Sequence, residues 1–282
     1  MMSTNILSVV TFVYLVGTFL YFCYLASRSA AVGRVATGIM MVGVVGHTAA
    51  FFLRWKESYD LGYGHIPLSN QFESMVFFSL VIVIIYLIME FRSKIKTMGA
   101  FVTPFASILL AMTTISKSFS NEIQPLVPAL QSNWLTYHVI TCFLGYAAFA
   151  VSCGVSVMYL VKLRGESTRG GEGVLGRILP DAKILEDINY KAIATGFPML
   201  TLGIITGAAW ANYAWGSYWS WDPKETWSLI TWFIYAAFLH ARFTRGWRGK
   251  KTAILSVIGF LAVLFTYFGV NYVLSGLHSY AG

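Results

Sequence analysis

Charge is the first thing this 282-residue chain lacks: 11% of its residues are charged and 57% are hydrophobic, against about 25% charged in an ordinary soluble domain. That scarcity rules out a water-solvated surface of normal composition and points to a membrane protein. Cysteine is scarce too. Cys23, Cys142 and Cys153 all fall in apolar runs, with neither C-x-x-C nor C-x-x-C-H spacing, so they read as small helix-packing residues and not as a redox pair or a covalent haem anchor. No H-E-x-x-H or paired-cysteine pattern offers the short-range ligand spacing usual for zinc. No internal repeat is visible, and no nucleic-acid motif gives the net charge of +8 a polyanionic partner.

Long apolar runs are abundant. They lie near residues 5–26, 35–54, 75–91, 98–115, 135–161, 192–212, 226–243 and 252–273, each long enough to cross a hydrocarbon core of about 30 Å as a helix. The fold expected is an all-α polytopic bundle of about eight transmembrane helices, read as one domain over 1–282. The first run has no basic residue before it and exceeds the apolar core of a signal peptide, so a retained helix is expected.

With the N-terminus outside, sixteen of the twenty basic residues fall in inner loops, leaving Arg54, Lys56, Lys117 and Lys224 outside. The positive-inside rule therefore predicts both termini on the outer face and makes the +8 charge a topology signal. The longest inner loop, 162–191, begins with a glycine-rich run and continues as DAKILEDINYKAI, a candidate surface helix. Pro104 and Pro198 sit inside predicted helices and suggest kinks.

Five histidines are present: His47, His65, His138, His240 and His278. His47 and His240 lie within apolar runs, where a polar side chain is costly and faces a partner or cofactor; each alone also suits a hydrogen-bonded structural histidine. His138 and His278 lie at the expected outer edge and alone are compatible with interfacial histidines. Together the four suggest two bis-histidine haem sites, neutral imidazole being the usual axial ligand of haem iron. Counted along the helices, His47 is about 10 Å and His240 about 20 Å below the expected outer ends, so one shared iron requires tilt or longer helices.

The stretch WGSYWSWDPKETWSLITW, 215–232, holds five of nine tryptophans. Asp222 is a good N-cap, Pro223 suits the first helical position and Glu225 completes a capping box. Part of the aromatic content is an ordinary interfacial belt. Trp215, Trp219, Trp221 and Trp227 also offer flat rings for a planar macrocycle, with Lys224 placed to meet a propionate.

This stretch resembles the WWD motif of haem-handling membrane proteins, in the form found in the cytochrome c biogenesis family CcsA/ResC. PLSNQFESMVFFS after His65 is similar to that family's outer segment before its third helix. The resemblance is densest at the WWD segment, 210–228. It is weak in the first helix and in loop 162–191.

Carried over, the resemblance implies an external haem b ligated by His138 and His278 against Trp215, Trp219, Trp221, Asp222, Lys224 and Trp227. It implies a second haem in the membrane, ligated by His47 and His240. It implies a subunit of a holocytochrome c synthase (haem lyase) complex with a separate CcsB/ResB-type membrane partner, which delivers haem to the C-x-x-C-H of apocytochrome c. No side chain stands out as a nucleophile. The expected location is a bacterial inner membrane, with the thylakoid as the alternative. A haem exporter or chaperone without attachment activity, and a cytochrome b-like dihaem electron carrier, are the other readings; the second usually places two ligands on one helix.

Overall fold

The computed structural model describes residues 1–116, 119–168 and 178–274. Eight long helices account for most of them: α1 (Met2–Ser27), α2 (Ala30–Asp60), α3 (Gln71–Ser93), α4 (Gly99–Ile115), α5 (Asn133–Thr168), α6 (Ala182–Trp215), α7 (Pro223–Arg245) and α8 (Lys250–Leu264). The last continues through a π-helical turn, Phe265–Gly269, into Val270–Val273. No strand occurs among the described residues. Helix is the expected outcome for a chain in lipid, because it satisfies every backbone polar group within its own segment.

Seven of the eight helices are long and apolar enough to cross a membrane, α4 together with the turn before it (Lys96–Ile115) and α8 together with its continuation (Lys250–Val273). The exception is α7, where Trp227, Trp232, Tyr235 and two threonines join His240 and Arg242 within the apolar run and lower its hydropathy. The bilayer also accounts for the exposed Val9, Phe12, Val16 and Phe19 on α1, a face suited to acyl chains.

Most helices overrun their apolar cores. α2 begins five residues before the expected start and ends at Asp60, six after the expected end. α6 starts at Ala182, so the segment read as a surface helix is instead the first part of a continuous 34-residue helix, with Leu185, Ile188 and Ala192 buried. These apolar residues recur at helical spacing, and packing takes them into the bundle. Pro104 and Pro198 lie inside α4 and α6.

The helices group into two compact units, Met1–Gln131 and Ser132 onward. In the first, α1 packs on α2 and α4, and α3 packs on α4. Thr18 hydrogen-bonds Thr103 and Ser107, each at 2.8 Å, a polar fastening of the kind that membrane bundles use between helices. In the second, α5 packs along α6 and α8. Ser152 links Asn189 of α6 (2.6 Å) and Ser256 of α8 (2.5 Å), and Phe149 stacks on Tyr235 with centroids 3.6 Å apart.

One end of the first unit is closed around Glu90. Its buried carboxylate accepts from Tyr21 (2.6 Å), Tyr86, Thr37 (2.6 Å) and Lys96 (2.7 Å), which joins α1, α2, α3 and the turn before α4. Glu90→Ala leaves several buried donors unsatisfied at about 1–3 kcal/mol each before relaxation. The expected result is a melting temperature in detergent lowered by several degrees, measured by thermal unfolding of the purified protein.

The other end of that unit carries a second network. Arg54, 2% exposed, donates through Nε to Glu73 (2.9 Å) and through Nη1 to the Asn121 carbonyl (3.0 Å), with its guanidinium over the Phe72 ring. Glu73 also accepts from the backbone and hydroxyl of Ser69 (2.9 and 2.8 Å). Asn70 caps α3, so Glu73 starts and anchors a helix. His65 donates from Nε2 to the Gln124 carbonyl at 2.9 Å. The histidine left unassigned in the sequence thus ties PLSNQFES to the segment after α4.

Candidate functional site

His138 lies in the second turn of α5, half-buried against α6. Its Nδ1–H donates to the Gly203 carbonyl at 2.7 Å, which leaves the neutral ring's lone pair on Nε2, as metal-ligating histidines are usually held. Trp210 stacks on the imidazole, centroids 5.9 Å apart and planes 21° from parallel, and Trp215 packs edge-on against Trp210 at 5.0 Å. Trp210 and the Gly203 carbonyl together hold the ring in one orientation. Cys142, one turn along α5, has its buried Sγ 3.6 Å from Nδ1 and packs against Gly203, which accounts for its small size.

Close approach of the two backbones makes this possible. A Cβ at Gly207 would stand 2.6 Å from His138 Nδ1 and 2.7 Å from Cε1. The absence of a side chain at 207 is therefore what admits the ring.

The tryptophan-rich stretch that resembles a WWD motif follows directly. α6 ends at Trp215 with Gly216 in the left-handed conformation, φ 75°. Trp219 and Trp221 meet edge to face at 5.7 Å. Asp222 accepts from the Lys224 backbone N–H at 3.0 Å, and Glu225 returns to the Asp222 backbone N–H at 3.2 Å, so the capping box read from DPKE is present.

The tail of the segment is locked to α8. Trp227 packs on Phe265 of the π-helical turn at 4.2 Å, and Lys224 Nζ donates to Asn271 Oδ1 at 3.0 Å. π-Turns are often found at functional sites. His278 lies outside the described residues.

Trp221 is the segment's strained member: a bulky residue at φ 60°, with its ring 68% exposed. Left-handed backbone costs a non-glycine residue roughly 1–2 kcal/mol, and such strain is retained where surrounding structure over-determines it. Glycine would relieve it but lose about as much in unfolded-state entropy. Trp221→Gly is accordingly expected to leave stability within about 0.5 kcal/mol of wild type, checked by thermal unfolding of the purified variant.

His47 is fully buried in α2. Its Nδ1 is 3.2 Å from the Tyr14 hydroxyl, and its Nε2 has no hydrogen-bond partner of good geometry. The Val76 backbone also interacts with the ring, so its surroundings on α1 and α3 are those of a packed, hydrogen-bonded histidine. His240 is in the last turns of α7, with its ring exposed on its own unit. Counted along their own helices, His47 stands thirteen residues from the end of α2 and His240 seventeen from the start of α7, about 20 and 26 Å.

Trp210, Gly203, Gly207 and Tyr14 were not singled out by the sequence. Trp210 sits five residues before Trp215, and its density with the WWD tryptophans was the available signal; for the glycines and Tyr14 there was none.

Residues 68–278 match the family described as Cytochrome C assembly protein. The chain is 40% identical over 261 residues to cytochrome c biogenesis protein CcsA of Heterosigma akashiwo, covering 82% of this chain and 80% of that protein. It is 37% identical over 316 residues to CcsA of Gloeobacter violaceus, covering 94% and 92%. Among solved structures, Cytochrome c Heme Lyase CcmF superposes with a TM-score of 0.70 at 18% identity, over 94% of this chain and 46% of that one. This last likeness is one of fold, and this chain spans under half of that protein's length.

Proposed function

This chain belongs to the cytochrome c assembly protein family, and from that premise we propose that it takes haem b as substrate and presents it for attachment to apocytochrome c. His138 and His278 are the proposed axial ligands at the WWD segment. His47 is proposed as a ligand for haem within the membrane, and so is His240. The observation that carries the reading is His138, whose Nδ1–H is committed to Gly203 and whose ring is stacked against Trp210, on the helix that leads into the proposed WWD tryptophans.

The chemistry is addition of two C-x-x-C-H thiols across the two haem vinyl groups: each S–H bond breaks, a C–S bond forms, the hydrogen passes to the other vinyl carbon, and no net oxidation or reduction occurs. The chain's part is positioning, which lowers the entropic share of the barrier. Trp215, Trp219 and Trp221 supply ring faces, Trp227 braces the segment on α8, and Asp222 and Glu225 fix where α7 begins. Lys224, held by Asn271, stands at that helix start as a cation for a propionate. The incoming C-x-x-C-H histidine would displace one axial ligand on release.

The proposed assembly is a holocytochrome c synthase with a CcsB/ResB-type membrane subunit, in a bacterial inner membrane. Haem-stained gels and absorption spectra of the purified protein, with each of His47, His138, His240 and His278 changed to alanine, test the ligand set. A His138→Ala, His278→Ala double variant should lose the external haem and fail to mature cytochrome c, with imidazole restoring single variants. Full haem content and normal maturation in that double variant would overturn the reading.

A further inference from the structure

The first helix carries little of the family resemblance and lies outside the matched residues 68–278, yet it brings a functional group to His47. Tyr14 of α1 and His47 of α2 are both wholly buried. Their rings stand 5.6 Å apart, with Tyr14 Oη 3.2 Å from Nδ1.

The backbone arrangement makes that contact specific. Gly43, one turn before His47, admits the tyrosine: a Cβ there would stand 2.5 Å from Tyr14 Cε1. On the other side, the Ser107 hydroxyl of α4 donates to the Tyr14 carbonyl at 3.2 Å, holding that turn of α1 in place.

A neutral imidazole has one lone pair and one N–H. If Nε2 is to bind iron, the proton must sit on Nδ1, and Nδ1–H then needs an acceptor in an apolar interior. Tyr14 Oη is the hydrogen-bond partner that Nδ1 has, and a phenol hydroxyl accepts while remaining neutral.

We propose that Tyr14 is a positioning residue for His47, accepting the Nδ1 hydrogen bond so that Nε2 is held with its lone pair available to haem iron in the membrane. The proposal rests on His47 being a haem ligand. Outer partners of ligating histidines typically change metal affinity by about 10–100-fold when removed.

The test uses the full-length chain in detergent in the His138→Ala, His278→Ala background, so that the membrane haem is read alone. Three properties are followed: the absorption spectrum, the reduction potential and the rate of haem transfer to an apo-globin trap. Tyr14→Phe keeps the ring packing and removes only the acceptor. It should accelerate haem loss about 10-fold or more and shift the reduction potential; Gly43→Ala, which displaces the ring, should change both in the same direction. An unchanged release rate and potential in Tyr14→Phe, while His47→Ala has lost the membrane haem, would overturn this inference and leave the ligand reading standing. Retention of that haem by His47→Ala with an unaltered spectrum would overturn both.

Discussion

Gly207→Val should strip the proposed external haem nearly as completely as His138→Ala, although residue 207 is not itself a proposed ligand. The first atom added at Gly207 falls 2.6 Å from His138 Nδ1, well inside contact distance, and β-branching adds bulk in a helix where χ1 has little freedom. The imidazole must rotate off the Gly203 carbonyl, which breaks its hydrogen bond and turns Nε2 away from its present direction. Loss of an outer partner alone costs about 10–100-fold in affinity; displacing the ligand as well should reach or exceed the upper end. Overpacking the α5–α6 contact adds about 1–3 kcal/mol of destabilisation. Haem content per protein by pyridine haemochrome and thermal unfolding of the same preparation check the two effects separately. Gly207→Ala should fall between wild type and valine. Full haem content in the valine variant would show that His138 does not need its present seat.

Arg54→Ala should be among the most destabilising single changes in the chain. The guanidinium is buried and pairs with a fully buried Glu73. Removing one partner of such a pair leaves an uncompensated buried charge and costs about 3–5 kcal/mol. The Asn121 carbonyl loses its donor at the same time. The comparison that isolates the cause is the double variant Arg54→Met, Glu73→Leu, which removes both charges and should recover most of the loss. Unfolding in detergent checks this, and a double variant no better than Arg54→Ala would place the cost in packing against Phe72 instead of in charge.

The capping box at Asp222 and Glu225 is local, three residues apart, and was legible because cap chemistry depends on spacing along one segment. The helices were legible for a different reason: lipid offers no partner to backbone polar groups, so a long apolar run has one regular solution. Their ends were less so. α2 and α6 continue for a turn or more beyond their apolar cores, since hydropathy marks the part of a helix that suits lipid and not the part that remains helical beyond it.

His138 shows the same division inside one residue. Its type and its place near the head of α5 suggested a ligand, and the WWD resemblance supplied a role. That Nδ1 would meet Gly203, that Trp210 would cover the ring and that Gly207 would make room depended on α5 and α6 meeting at one particular register. Arg54 was merely one of four basic residues expected outside; its partner Glu73 lies nineteen residues away and on another helix.

By itself, then, the sequence determined an all-helical membrane chain, the start of α7, and which tryptophans and histidines are proposed for the site. Tertiary structure alone decided which ring nitrogen of His138 carries the proton, what stands against His47, and which glycines are empty for a reason. The physical cause is that hydropathy and capping are properties of one segment in its surroundings. A hydrogen bond between helices, by contrast, exists only once two segments have chosen a crossing and a register.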